Sequence, residues 1–267
     1  MRILIGLLVL LIGCAKDNSA PAKALTEKAP EEINPEPAPH CAFGALPKNW
    51  VRAEDYLSFA NFGYRGVGRC RGHALLTQEL IYLLRFDPTL ADEWSCWQNT
   101  EYCRSAVYEM LQKTRQGLVV TVPGFKNLAE FSSVPLVEAI LRGRIISYET
   151  RYSARRLPLP GYNNRSIAVF EELKKRVRLN QRPYVAINGA FVGSHGVLAD
   201  QVKRNFVCVR DPNIIPESGE EDCQNYFYRE GDAIRYVRTR RPEDTVTLEL
   251  TEDENQRSRH LRASLCP

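Results

Sequence analysis

Pro183 divides this chain into two textures, helical before it and extended after it, and that order constrains the fold more than any single motif. Upstream, apolar residues recur every three to four positions, the spacing of a helix face. Ala74, Leu75, Leu80, Ile81 and Leu84 align over Cys70–Leu84, and a second helix is expected over Glu101–Arg115, with Gly117 placed to stop it. Ser132 or Ser133 caps an expected short helix that runs to Arg142 and meets Gly143. Asn163 or Asn164 opens another over Ser166–Leu179, in which Ile167, Phe170, Leu173 and Val177 share a face. A shorter helical pattern covers Ala53–Phe59 and leads into the glycine-rich turn Gly63–Gly68. Downstream, Tyr184–Ile187, Gly196–Val202, Phe206–Arg210, Tyr226–Tyr228, Ala233–Val237 and Thr245–Leu250 are short, β-branched or aromatic, and separated by turn residues. Helices first and strands afterwards read as an α+β domain, with helices packed on an antiparallel sheet.

A different kind of sequence precedes that domain. Arg2 is followed by an apolar run of about a dozen residues that ends at Leu11-Ile12-Gly13-Cys14. The run is too short for a bilayer that needs ~20 residues, and its layout is that of a cleaved export signal. Its end resembles the lipobox of bacterial lipoproteins, which implies a signal peptide over 1–13 and lipid on Cys14. That resemblance implies a lipoprotein on a membrane, facing the periplasm. Ala15, where an aspartate would resemble an inner-membrane retention signal, points to the outer membrane. Residues 14–40 follow with five prolines and almost nothing to build a core, so they read as a lipid-anchored disordered tether. Such a tether reaches ~30 Å as a coil and ~80 Å as an extended chain. The folded domain is expected over 41–267.

Charge excludes one class of partner. The formal net charge of +4 is mild, and the basic residues form no long run, so nucleic acid is not expected. The stretch Arg235 to Arg241 alternates with apolar residues and reads as a solvated strand face.

Eight cysteines stand at 14, 41, 70, 96, 103, 208, 223 and 266. With Cys14 assigned to lipid, an oxidising compartment should pair the others where geometry allows. Cys96 with Cys103, Cys208 with Cys223, and Cys41 with Cys266 form one of the 15 connectivities that six cysteines allow. Cys70 is then the odd thiol. It stands where a glycine-rich turn enters a strong helix, and the unpaired N–H groups and positive dipole end there favour a thiolate. A buried cysteine that caps a helix is the bland alternative, about as common on that observation alone.

His195 and Asp211 shift the balance. His195 opens one strand, and the next strand ends in Asp211-Pro212-Asn213. If the two pair antiparallel, the start of one lies beside the end of the other. Cysteine, histidine and acid then form a nucleophile, a base and an orienting group. The segments Gly68-Arg69-Cys70-Arg71-Gly72-His73-Ala74, Ser194-His195-Gly196-Val197-Leu198 and Val209-Arg210-Asp211-Pro212-Asn213 resemble the papain-like cysteine peptidase superfamily, in its bacterial leader-processing branch. The resemblance implies a papain-like fold with the nucleophile helix on a C-terminal antiparallel sheet. It also implies Cys70 as nucleophile, His195 as general base and acid, Asp211 as orienter, and the Cys70 N–H as an oxyanion donor. Two positions depart from the pattern. Tyr64 stands where the second oxyanion donor, often glutamine, is expected, leaving Asn61 as the nearest upstream amide, and Arg71 replaces a frequent aromatic.

Those implications give a periplasm-facing cysteine peptidase or amidase, a hydrolase acting on peptide or peptidoglycan amides through a thioester. The chemistry needs no cofactor and no metal, and Cys70-x-x-His73 lacks a second ligand pair at metal spacing. The alternative is a catalytically inactive binding or scaffold lipoprotein of the same fold.

Overall fold

The structure is a computed structural model that describes residues 54–62, 68–152, 163–214, 223–239 and 243–250. The signal peptide, Cys14, the tether, Cys41, Tyr64 and Cys266 lie outside the described residues.

Six strands form the C-terminal half: β3 (Tyr184–Gly189), β4 (Gly193–Lys203), β5 (Phe206–Arg210), β6 (Tyr226–Glu230), β7 (Ala233–Val237) and β8 (Asp244–Glu249). Each pairs antiparallel with the next, and β8 pairs back onto β3, closing a barrel. This overturns the expected papain-like arrangement of a helix packed on an open antiparallel sheet. The strands themselves are where the alternation put them. Closure depends on the β3–β8 pairing, for which no local pattern carries a signal.

Side-chain alternation sorts the barrel into two faces. Val185, Ile187, Val197, Ala199, Val207, Val209, Phe227, Ile234, Tyr236, Val246 and Leu248 point inward, and Phe170, Leu173 and Val177 of helix α5 (Asn163–Arg178) complete that core. Tyr184, Ala186 and Leu198, of opposite parity on β3 and β4, belong instead to the core of the helical layer. These two strands are therefore buried on both faces.

The helical layer is built from α1 (Cys70–Leu83), α2 (Glu101–Arg115), α3 (Leu128–Ser132) and α4 (Pro135–Tyr152). All of α1 except Arg71 is buried, because α4 covers one side and the outer face of β3–β4 the other. Gly72 permits this. A Cβ there would overlap the carbonyl oxygen of Ile145 in α4, so only glycine lets the two backbones cross so closely. That gap serves helix packing rather than room for a substrate.

Three local expectations need correction. Residues 54–59 are turns and bends, not helix. Gly117 does end α2, with φ +82°, but α4 runs straight through Gly143. A mid-helix glycine costs only about 0.5–1 kcal/mol, and burying Leu141, Ile145 and Tyr148 outweighs that. The third miss is a two-stranded parallel sheet, β1 (Leu84–Asp87) beside β2 (Val120–Pro123). Two disulfides agree with the expected pairs, Cys96–Cys103 and Cys208–Cys223. The first staples the turn before α2, where Trp94 and Trp97 pack against Phe131 and Phe125.

Candidate active site

His195 and Asp211 meet as the strand order requires. Both lie on the inward face, two residues from Val197 and Val209, and β4 starts at the barrel end where β5 finishes. His195 Nε2 is 2.8 Å from Asp211 Oδ1, and each side chain is 1% exposed.

The carboxylate is held from several sides. The Asn213 N–H donates to Oδ1 at 2.9 Å, and the Tyr236 hydroxyl, from the inward face of β7, donates to Oδ2 at 2.9 Å. Burial pushes the Asp211 carboxyl up. The charge and hydrogen bond of His195, the Asn213 N–H and the charge of Arg238 outweigh it and hold the group at about 2. Asp211 is therefore ionised at neutral pH and can only accept hydrogen bonds. His195 Nε2 must carry the proton, so Nδ1 is the basic nitrogen of the neutral ring. The Tyr236 phenol is raised well above its ordinary 10 by burial and by the Asp211 charge, so it stays a donor. Sequence reasoning missed Tyr236. Its only signal was inward parity at the right end of β7.

The start of α1 adjoins this barrel end. A Cβ on Gly196, the residue after His195, would lie 3.2 Å from the Cα of Arg71, the residue after Cys70. Asn61 ties the same two elements together. It accepts from the Arg69 N–H at 2.9 Å, and its side-chain amide donates to Asn213 Oδ1 at 2.8 Å. Its own N–H donates to the Pro212 carbonyl at 2.5 Å. The expected oxyanion donor is thus engaged as a brace.

Two observations bear on the thiol. Cys70 is buried and disulfide-bonded, so it is not the odd cysteine, and its partner lies outside the described residues. In the α1 first turn, the Gly72 N–H donates to Glu149 Oε2 of α4 at 2.8 Å. A carboxylate at the positive end of a helix stabilises it and opposes a second negative charge there.

His73, one turn after Cys70, faces the protein interior. Its Nε2–H donates to the Phe59 carbonyl at 2.9 Å, with the Phe59 ring edge-on at 5.6 Å. Burial lowers its pKa to about 4, the nearby Arg142 charge adds to that, and the Phe59 bond and Asp211 charge oppose it only in part. It stays neutral.

Among the described residues, no helix is long and apolar enough to cross a membrane. Comparison with protein-family models, with characterised proteins and with solved structures finds no match for this chain.

Proposed function

We propose that this protein is a periplasm-facing lipoprotein, lipidated on Cys14 and carried on the outer membrane. Its Cys70–His195–Asp211 site hydrolyses or transfers amide bonds of peptides or peptidoglycan once Cys70 is reduced. The observation that carries the reading is the buried His195–Asp211 pair at 2.8 Å, placed at the barrel end that the first turn of α1 adjoins. Burying a carboxylate beside a histidine adds little or nothing to stability over a packed apolar core. A pair held in one tautomer by Asn213 and Tyr236 suits a base that must be aimed.

The disulfide makes the described state a resting one. A dithiol reductant converts the Cys70 disulfide to two thiols and is itself oxidised to a disulfide. His195 Nδ1 then takes the Cys70 proton, and the thiolate attacks the amide carbonyl. Collapse expels the amine, which takes its proton from His195. Water or a second amine cleaves the thioester and regenerates the thiol.

A second reading is favoured by the same disulfide together with the Glu149 carboxylate on the helix start. It is a non-catalytic binding lipoprotein in which Cys70 is structural. The two separate when the reduced full chain is offered p-nitrophenyl acetate and the acyl group is located by mass spectrometry. The enzyme reading expects a thioester on Cys70 that turns over, absent without reduction and at least ~100-fold slower in His195→Ala. No thioester on reduced Cys70, or equal acylation in the variant, leaves the binding reading standing.

A further inference from the structure

α1 packs directly on the outer face of β3 and β4, and beside that apolar contact polar groups cross between the helical layer and the barrel end that holds His195. One short segment carries such groups close to Cys70. Leu57 and Phe59 are buried in the helical core, the Ser58 N–H donates to Ser132 Oγ at 2.8 Å, and His73 holds the Phe59 carbonyl. Two residues later the segment reaches the barrel, and Asn61 makes three hydrogen bonds there or at the start of α1.

We infer that Asn61 is the positioning residue that sets the approach of Cys70 to His195. This inference rests on the amide-bond reading of the site. One end of its amide holds the N–H of Arg69, the residue immediately before Cys70. The other end holds the side chain of Asn213, whose own N–H fixes Asp211 Oδ1, the oxygen that orients His195. The linkage therefore runs from the nucleophile's neighbour to the base through one side chain. Its chemistry is specific to asparagine. Aspartate keeps the acceptor for Arg69 but has no proton for Asn213 Oδ1, alanine offers neither, and glutamine is a methylene too long. A small misplacement of reacting groups can lower a rate by about 100-fold, so the loss of this brace should be felt in the thiol.

The competing role for Asn61 is oxyanion donor, and two reagents tell the roles apart. Iodoacetamide reports the Cys70 thiolate and forms no oxyanion, whereas p-nitrophenyl acetate requires both. The experiment measures both rates at Cys70 at mildly acidic pH in the reduced full chain. It compares wild type, Asn61→Ala, Asn61→Asp, Asn213→Ala and the Asn61→Ala/Asn213→Ala double variant, with His195→Ala as the floor. Positioning predicts that both rates fall about 10- to 100-fold in each single variant, with the double variant no slower than the slower single. A fall in acylation alone would make Asn61 an oxyanion donor and overturn the inference. Wild-type rates for both reagents in variants that still reach Cys70 would make it a structural tie and overturn it as well. Asn213→Ala removes the same link from the opposite side, so it decides the matter even where Asn61→Ala does not fold. Failure of the underlying reading looks different, because wild type itself would then match His195→Ala.

Discussion

Two histidines, one in the helical layer and one in the barrel, are buried almost equally and live in opposite surroundings. His73 in α1 faces a carbonyl and a phenyl edge, with an arginine nearby, and is held neutral. His195 in β4 faces an ionised carboxylate that a tyrosine and a backbone N–H keep in place. The helical layer suppresses charge, and the barrel end is built to hold it. Residues of the same type thus meet opposite electrostatic surroundings in the two regions, and the difference lies in what faces the ring.

The largest test of this contrast is steric. Gly72→Ala drives a methyl into the Ile145 carbonyl and should cost about 3 kcal/mol. Hydrogen exchange should show helical-layer amides losing more protection than the barrel amides, since the cores are separate. Equal loss everywhere would mean that the two regions unfold as one.

Acid should then dissect them in sequence. His73 takes its proton in the unfolded chain near 6.5 and in the folded protein only near 4. Between those values the unfolded state binds more protons, so stability is lost as pH falls from 6.5 to 4, by roughly 3 kcal/mol at most. Asp211 moves from 3.8 down to about 2, so its contribution is present above 3.8 and is lost as pH falls toward 2. Denaturant unfolding between pH 7 and 2 should show the two windows. His73→Gln should flatten the upper one, and Asp211→Asn should flatten the lower one while pushing the His73 transition further down, since the Asp211 charge opposes the lowering of His73.

The smallest effect concerns the helix start. Glu149→Gln removes the carboxylate from the Gly72 N–H and should cost α1 about 0.5 kcal/mol while making reduced Cys70 more reactive. Unchanged or slower alkylation would mean that Glu149 does not oppose the thiolate.

These regions were also unequally legible in the sequence. The bounds of α2, β5 and β7 follow from caps, glycines and strict alternation, and the structure returns them unchanged. The encounter of His195 with Asp211 was readable because one hairpin sets it. Tyr236 was not, because its meeting with Asp211 spans two strand pairings, β5 with β6 and β6 with β7. Nor were the bonds of Asn61, whose partners Arg69 and Asn213 lie eight and 152 residues further along the chain. Cysteine arithmetic failed at Cys70 for a similar reason. Counting left it over, and only the folded chain brings a partner to it.

The decisive experiment is the rate of Cys70 alkylation by iodoacetamide against pH. The full chain would be reduced, the label located by mass spectrometry, and His195→Ala run beside it. A thiol served by the barrel pair alkylates rapidly well below the free-cysteine pKa of ~8.5, and that acidic limb vanishes in the variant. A single rise near ~8.5, identical in both proteins, would contradict the account and leave Cys70 a structural cysteine at the edge of an unused histidine pair.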